Sequence, residues 1–383
     1  MREAPGVCGY APAVQQLAVV VGLVMVVSVL TDMVNTLVTT QTRRGRFWLT
    51  TMLYTRSWAV LRAVVGRIDS ERRREAIMGT FAPVSVLLLL CAWVAQQVVG
   101  FGLIWWGLGG IGGAESLGDE IYYSGVVYFT LGFGELVPVE TIPRFGALIE
   151  AFCGVLTTAL VIGYLPSLYS AYSERERKLM TLDDGNEGRI TPTNLILSRC
   201  PDGDTSGLES FFKEWEQWIT GVIETHGTFP MLVLFRSKHP GQNWVTALGL
   251  VADAALHAQL ITSTRNREAY WCLRRAIILF DQLTDGADLS EYNAAWDDQV
   301  EAANGDDGLF RQLYEDLQSA GFELIPYEQA RDEARALRTP WAGQLEWLID
   351  ALAAPRGFWG HSVGHRLGVG RPVDDDAELP PNA

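Results

Sequence analysis

Residues Tyr122–Pro138 read YYSGVVYFTLGFGELVP, and the rest of the chain is understood from the six at the centre, Thr130-Leu131-Gly132-Phe133-Gly134-Glu135. Glycines at alternate positions let the backbone take up angles that residues with a Cβ resist. Such a segment can turn successive peptide carbonyls toward one line, where their oxygens replace the water around a dehydrated cation. The Thr130 hydroxyl adds one more oxygen at the inner mouth of that file. A lone G-x-G is most often an ordinary turn, so the setting carries the weight. The segment lies between two long apolar runs and follows a short helical stretch beginning with Asp119-Glu120, acids that suit a helix N-terminus. The partly negative C-terminal end of that helix then faces a waiting cation. The competing reading is a re-entrant or extracellular loop.

Outward from this loop, three runs are long and apolar enough to cross a bilayer. Leu17–Leu30 continues less purely to Val38, giving an N-terminal span over 14–40, with a cleaved signal peptide as the alternative. Asp32 is a functional candidate at membrane depth or a residue at the far headgroups. Phe81–Trp106 has no charge; Pro83 fits the first turn of its helix, and Trp105-Trp106 suit an outer aromatic belt. Phe145–Tyr172 is broken only by Glu150, which reaches either behind the loop or to the headgroups. Residues 41–79 hold nine arginines (Arg43, Arg44, Arg46, Arg56, Arg62, Arg67, Arg72, Arg73, Arg74) against Asp69, Glu71 and Glu75. That excess places them in the cytoplasm, with Phe47–Ile68 as an amphipathic helix on the inner surface rather than a fourth span. The N-terminus is then outside, the loop enters from the outer face, and the C-terminal half is cytoplasmic. Gly107–Gly118, with six glycines, reads as a flexible turret, and the acids of residues 107–145 are either a vestibule that would concentrate cations near the entrance or ordinary solvated loop charges.

The hexapeptide closely resembles the T-V-G-Y-G-D selectivity filter of tetrameric potassium channels, and residues 80–175 resemble the outer helix, pore loop and inner helix of the two-transmembrane ion-channel unit. The resemblance implies an all-α membrane protein built on a pore-loop cation channel unit (outer helix, pore helix, filter, inner helix). It implies K+ as permeant ion, bound by the backbone carbonyls of Thr130, Leu131, Gly132 and Phe133, with Gly134 completing the filter and no cofactor. Arg144 followed ten residues later by Gly154 matches the family spacing to the hinge glycine, so Gly154 is the implied gating hinge. Gly163 and Pro166 offer a second bend or close packing. Glu135 and Glu150 flank the filter. Three positions depart from the family: Phe129 for threonine, Phe133 for tyrosine, and Glu135 for aspartate. The carbonyl core is untouched, which favours potassium over weak selectivity. One filter per chain and four needed to close a ring imply a homotetramer in the cell membrane.

The chain carries a net charge of −15, and all of it lies after residue 173, where 34 acids face 19 bases. Nucleic-acid binding is disfavoured. Five scattered cysteines make neither a disulfide framework nor a zinc ribbon, and Cys91 and Cys153 read as small core residues. Over 183–358 the pattern is that of a mainly α-helical cytoplasmic domain. Leu208, Phe211, Phe212, Trp215, Trp218, Ile219, Val222 and Ile223 recur at helical steps. Further helices are expected at 244–262, 268–283, 308–319, 326–337 and 340–353, with Thr228–Phe235 a buried strand. Residues 359–383 read as a disordered tail, and His361 and His365 lack the Glu of a zinc protease motif. No G-x-G-x-x-G or P-loop marks a nucleotide site. A regulatory domain with an unknown ligand is one reading; a membrane-anchored enzyme or sensor working through this half is another.

Overall fold

The computed structural model describes residues 12–37, 48–68, 71–182, 190–200, 205–237, 243–262, 267–302 and 308–354. The expected tail, with His361 and His365, lies outside them, as does Cys8. The chain is mainly helical and divides into two units, one running to Ala171 and also holding Gly227–Phe235, the other made of Tyr172–His226 and the chain from Arg236 onward.

In the first unit α1 (Pro12–Leu37), α2 (Trp48–Val65) and α3 (Glu71–Leu108) precede α4 (Leu117–Tyr128) and α5 (Thr141–Leu179). Pro12–Leu37, Ala76–Leu108 and Thr141–Leu182 are long and apolar enough to cross a membrane. α1 lies on α3 through glycines. A Cβ on Gly22 would stand 2.4 Å from the Gly100 carbonyl oxygen, and one on Gly107 would stand 2.5 Å from that of Gln15. Small residues bring membrane helices this close where there is no hydrophobic drive to associate. Asp32 belongs to the same interface. It is buried, and Trp93 Nε1 donates to its Oδ2 at 2.9 Å, so it joins two helices instead of reaching headgroups.

Several expectations need correction. Pro83 lies inside α3, not in its first turn. The good helix formers of Glu71–Ile77 carry the helix upstream of it, and at 38 residues α3 is about 57 Å long, well beyond a bilayer core of ~30 Å. Gly107–Gly118 is folded: β1 (Ile111–Gly112) pairs antiparallel with β2 (Val137–Pro138), Ile111 opposite Pro138. Trp105 is a core residue, 2% exposed, stacked on Phe101. Cys153 is buried as expected, whereas Cys91 is exposed. Thr228–Phe235 is no strand; Pro230–Leu234 is a 3-10 turn, because Pro230 starts a helical turn readily and can donate no ladder hydrogen bond.

The second unit is built from α6 (Pro192–Ser198), α7 (Ser206–Thr228), α8 (Trp244–Ala258), α9 (Arg267–Thr284), α10 (Ser290–Ala302), α11 (Gly308–Ser319) and α12 (Tyr327–Ala351). α12 merges the two helices expected at 326–337 and 340–353, with Pro340 inside it. α6 and α10 have weak apolar periodicity and no sequence expectation. α8 is apolar all round and buried along its whole length, as that pattern requires. Its one acid, Asp253, accepts from Arg338 Nη2 at 2.9 Å, and that guanidinium also lies over the rings of Trp296 and Trp341.

His226 on α7 and His257 on α8 are buried without charge. Burial, then the neighbouring guanidinium (Arg175 for His226, Arg338 for His257), pushes each imidazole down to about 3. Unfolded, each titrates near ~6.5. The unfolded chain therefore binds more protons between those values, and stability is full above pH ~6.5 and falls as the pH drops toward 3. Each histidine costs about 2 kcal/mol between pH 7 and pH 5. The urea midpoint of the purified protein should fall over that interval, and the His226→Gln, His257→Gln double variant should flatten the slope. A midpoint indifferent to both would show that neither ring is a source of acid sensitivity.

Candidate functional site

The loop that holds the six central residues is fastened at its N-terminal end by α4. Ser116 caps that helix in a capping box: its Oγ accepts from the Asp119 amide at 3.3 Å, and Asp119 Oδ2 accepts from the Ser116 amide at 2.9 Å. The helix thus begins at Leu117, two residues before the expected acids. At its other end the Thr130 amide bonds to the Val127 carbonyl at 2.9 Å and the Leu131 amide to that of Val126 at 2.8 Å. This pair of bonds is a Schellman motif, which requires a left-handed residue after the cap. Glycine usually fills that place. Here Thr130 does, at φ +55°, a conformation costly for a β-branched side chain.

The left-handed state then returns at every second residue: Gly132 has φ +64° and Gly134 φ +86°, while Leu131 and Phe133 stay on the negative side. Alternation of hand is the backbone pattern by which successive peptide carbonyls can be turned toward one side. Thr130 to Glu135 are all exposed in the single chain, and neither Gly132 nor Gly134 would meet another atom within 4 Å through a Cβ.

One side-chain bond ties the loop to α4, and others hold α4 in place. Tyr122 Oη donates to Glu135 Oε1, tying the C-terminal end of the loop to α4. Glu150, fully buried on α5, accepts from Trp105 Nε1 at 2.7 Å and meets Ser124 Oγ of α4. Ser124 donates to the Val98 carbonyl at 2.8 Å, so one carboxyl bridges α3, α4 and α5, and the headgroup alternative is set aside. Lower down, Tyr128 Oη donates to Thr157 Oγ1 at 2.9 Å. Gly154 lies against the end of α4: a Cβ there would come within 2.0 Å of the Tyr128 carbonyl oxygen. Gly163, nine residues on, has open space, and α5 is one continuous helix through both and through Pro166.

Residues 87–170 match the family model described as Ion channel. That stretch takes in most of α3, all of α4 with its loop, and α5 to Ser170. It covers less than half of this chain. Over 140 residues the chain is 26% identical to the uncharacterized membrane protein YdjJ of Bacillus subtilis (strain 168), covering 36% of this chain and 40% of that protein's length. No solved structure matches. The ion-channel unit therefore coincides with the membrane helices around the loop, and the second unit lies outside it.

Tyr122, Ser124 and Thr157 escape sequence reasoning, which reads Trp105 only as a belt residue, although each holds the loop or α4. The first two follow the α4 faces and could be found by helical register; Trp105 to Glu150 is a contact across 45 residues that no local pattern marks. Glu150→Gln should retain the fold, since an amide can both accept from Trp105 and donate to Ser124. Glu150→Ala should lose about 2–4 kcal/mol, from a cavity and stranded polar groups. Thermal denaturation of the purified protein in detergent checks the order, and equal losses in both variants would remove the bridging role.

Proposed function

We propose that this chain forms a homotetrameric potassium-selective channel of the cell membrane, conducting K+ past the carbonyls of Thr130, Leu131, Gly132 and Phe133. The supporting observation is the alternation of hand at Thr130, Gly132 and Gly134, the geometry that a file of inward carbonyls needs. One chain supplies one wall of such a file, and four walls enclose an axis. The outward face of α5, with Phe145, Leu148, Ile149, Phe152, Val155 and Ile162 all more than half exposed, gives lipid and neighbouring copies an apolar surface. The N-terminus lies outside and the C-terminal half in the cytoplasm. Tyr54 of the arginine-rich stretch and Tyr164 in the second half of α5 both bond to Met231 of the C-terminal half, which fits one side for all three.

The pore opens by movement of the inner half of α5, regulated by the second unit. Gly163, unobstructed, is the better pivot, and Gly154 serves packing. A weakly selective cation channel is the second reading, favoured by Phe133: it lacks a hydroxyl to brace the filter, and the brace passes to Tyr122 and Glu135 at the outer end. Purified protein in liposomes, with reversal potentials recorded in mixed K+ and Na+, separates the two. A reversal potential that follows the K+ gradient supports potassium selectivity. One that lies midway supports the second reading, and absence of any flux sinks both.

A further inference from the structure

The C-terminal half returns one short segment to the membrane unit, Gly227–Phe235. Its 3-10 turn buries Met231 and Leu232. Two phenols meet on the Met231 sulfur: Tyr164 Oη of α5 at 3.3 Å and Tyr54 Oη of α2 at 3.8 Å. Phe229 packs edge-on against Tyr164, ring centroids 5.4 Å apart, and Phe235 does the same to Tyr169 at 6.3 Å. Tyr164 is 6% exposed and follows directly on Gly163, where α5 has room to bend. Pro166, two residues further, offers no amide to the Ile162 carbonyl, so the helix is weakest at the turn that this segment grips.

We infer that Phe229–Phe235 is a clamp that positions the inner half of α5, binding it through Met231 to α2 and so opposing the bend that opens the pore. Met231 and Phe229 are positioning residues: they touch no ion and act through Tyr164. The sulfur suits the task, since a thioether accepts weak hydrogen bonds and packs on ring edges without demanding one geometry. A bend at Gly163 carries Tyr164 away from both Met231 and Phe229, so the open state forfeits these contacts and the clamped state keeps them. Because Gly227–Phe235 is the direct continuation of α7, a rearrangement of the second unit that withdraws it lowers the cost of bending. The clamp rests on the conduction reading only for its consequence, not for its geometry.

The test uses the full chain in liposomes and planar bilayers. Tyr164→Phe deletes one oxygen and keeps the ring on Phe229; Met231→Ala with Phe229→Ala removes the clamp. Losing a single weak bond should raise open probability roughly two- to tenfold, and the double variant should raise it further, while unitary conductance and reversal potential stay at their wild-type values. Met231→Leu with Tyr164 intact, which keeps the volume, should fall between. An open probability that is unchanged or lower in the double variant overturns the clamp. Hydrogen exchange of the 162–171 amides gives an arm independent of current: it should quicken in the double variant, and unchanged protection overturns the clamp even if the wild type proves silent. A silent wild type with quickened exchange overturns the conduction reading and leaves the clamp standing as a helix restraint.

Discussion

Gly132→Ala should abolish K+ conduction while leaving the protein folded and its assembly state unchanged. Gly132 has φ +64°, and a Cβ there adds roughly 1–2 kcal/mol of left-handed strain per chain. No neighbour within its own chain would be struck, so the fold has little to lose. In a ring of four the strain falls on one plane of oxygens, about 4–8 kcal/mol together. Turning the peptide away relieves it and removes the oxygens from the axis, a penalty that on its own scales conduction down by 10³-fold or more. Size-exclusion elution in detergent together with liposome flux checks the pair of outcomes. Wild-type flux from the variant would mean that these carbonyls bind no permeant ion.

Gly154→Ala and Gly163→Ala make the same chemical change nine residues apart on one helix and should give opposite results. Alanine favours a helix over glycine by about 0.5–1 kcal/mol. At Gly163 nothing stands within 4 Å, so the variant should be slightly more stable, with stiffer gating. At Gly154 the new methyl would come within 2.0 Å of the Tyr128 oxygen. Backbone must move there, at a cost of about 1–3 kcal/mol or more. Tyr128 stands two residues before Thr130, so the displacement enters the loop directly, and conduction should fall with stability. Melting temperatures and currents of the two variants decide the matter. If Gly154→Ala melts like the wild type and changes only opening, the position is a hinge after all.

The membrane half of the fold was legible because its determinants are local. Apolar runs set α1, α3 and α5, and alternate glycines mark the loop from within six residues. Thr130 in a glycine's place was not legible: nothing in a threonine announces φ +55°, which the Schellman bonds to Val126 and Val127 impose from the preceding helix. The alternatives left for Asp32 and Glu150 turned on partners 61 and 45 residues away, beyond any periodicity. Thr228–Phe235 misled because aromatic and branched residues suit a strand, yet a strand needs a partner for its amides, and tertiary packing on Tyr54, Tyr164 and Tyr169 offered a seat for a turn. In the second unit strong stripes such as Leu208–Val222 declared themselves, whereas α10, polar and short, did not.

The seam between α1 and α3 at Gly22 and Gly100 is too narrow to admit an acyl chain. Along that seam the chain supplies its own neighbour, and the bilayer meets α1 there instead of α3. Lipid then meets α3 on its other side, at Val84, Leu87 and Leu88, so the glycine seam should be the stretch least responsive to what the surrounding membrane is made of.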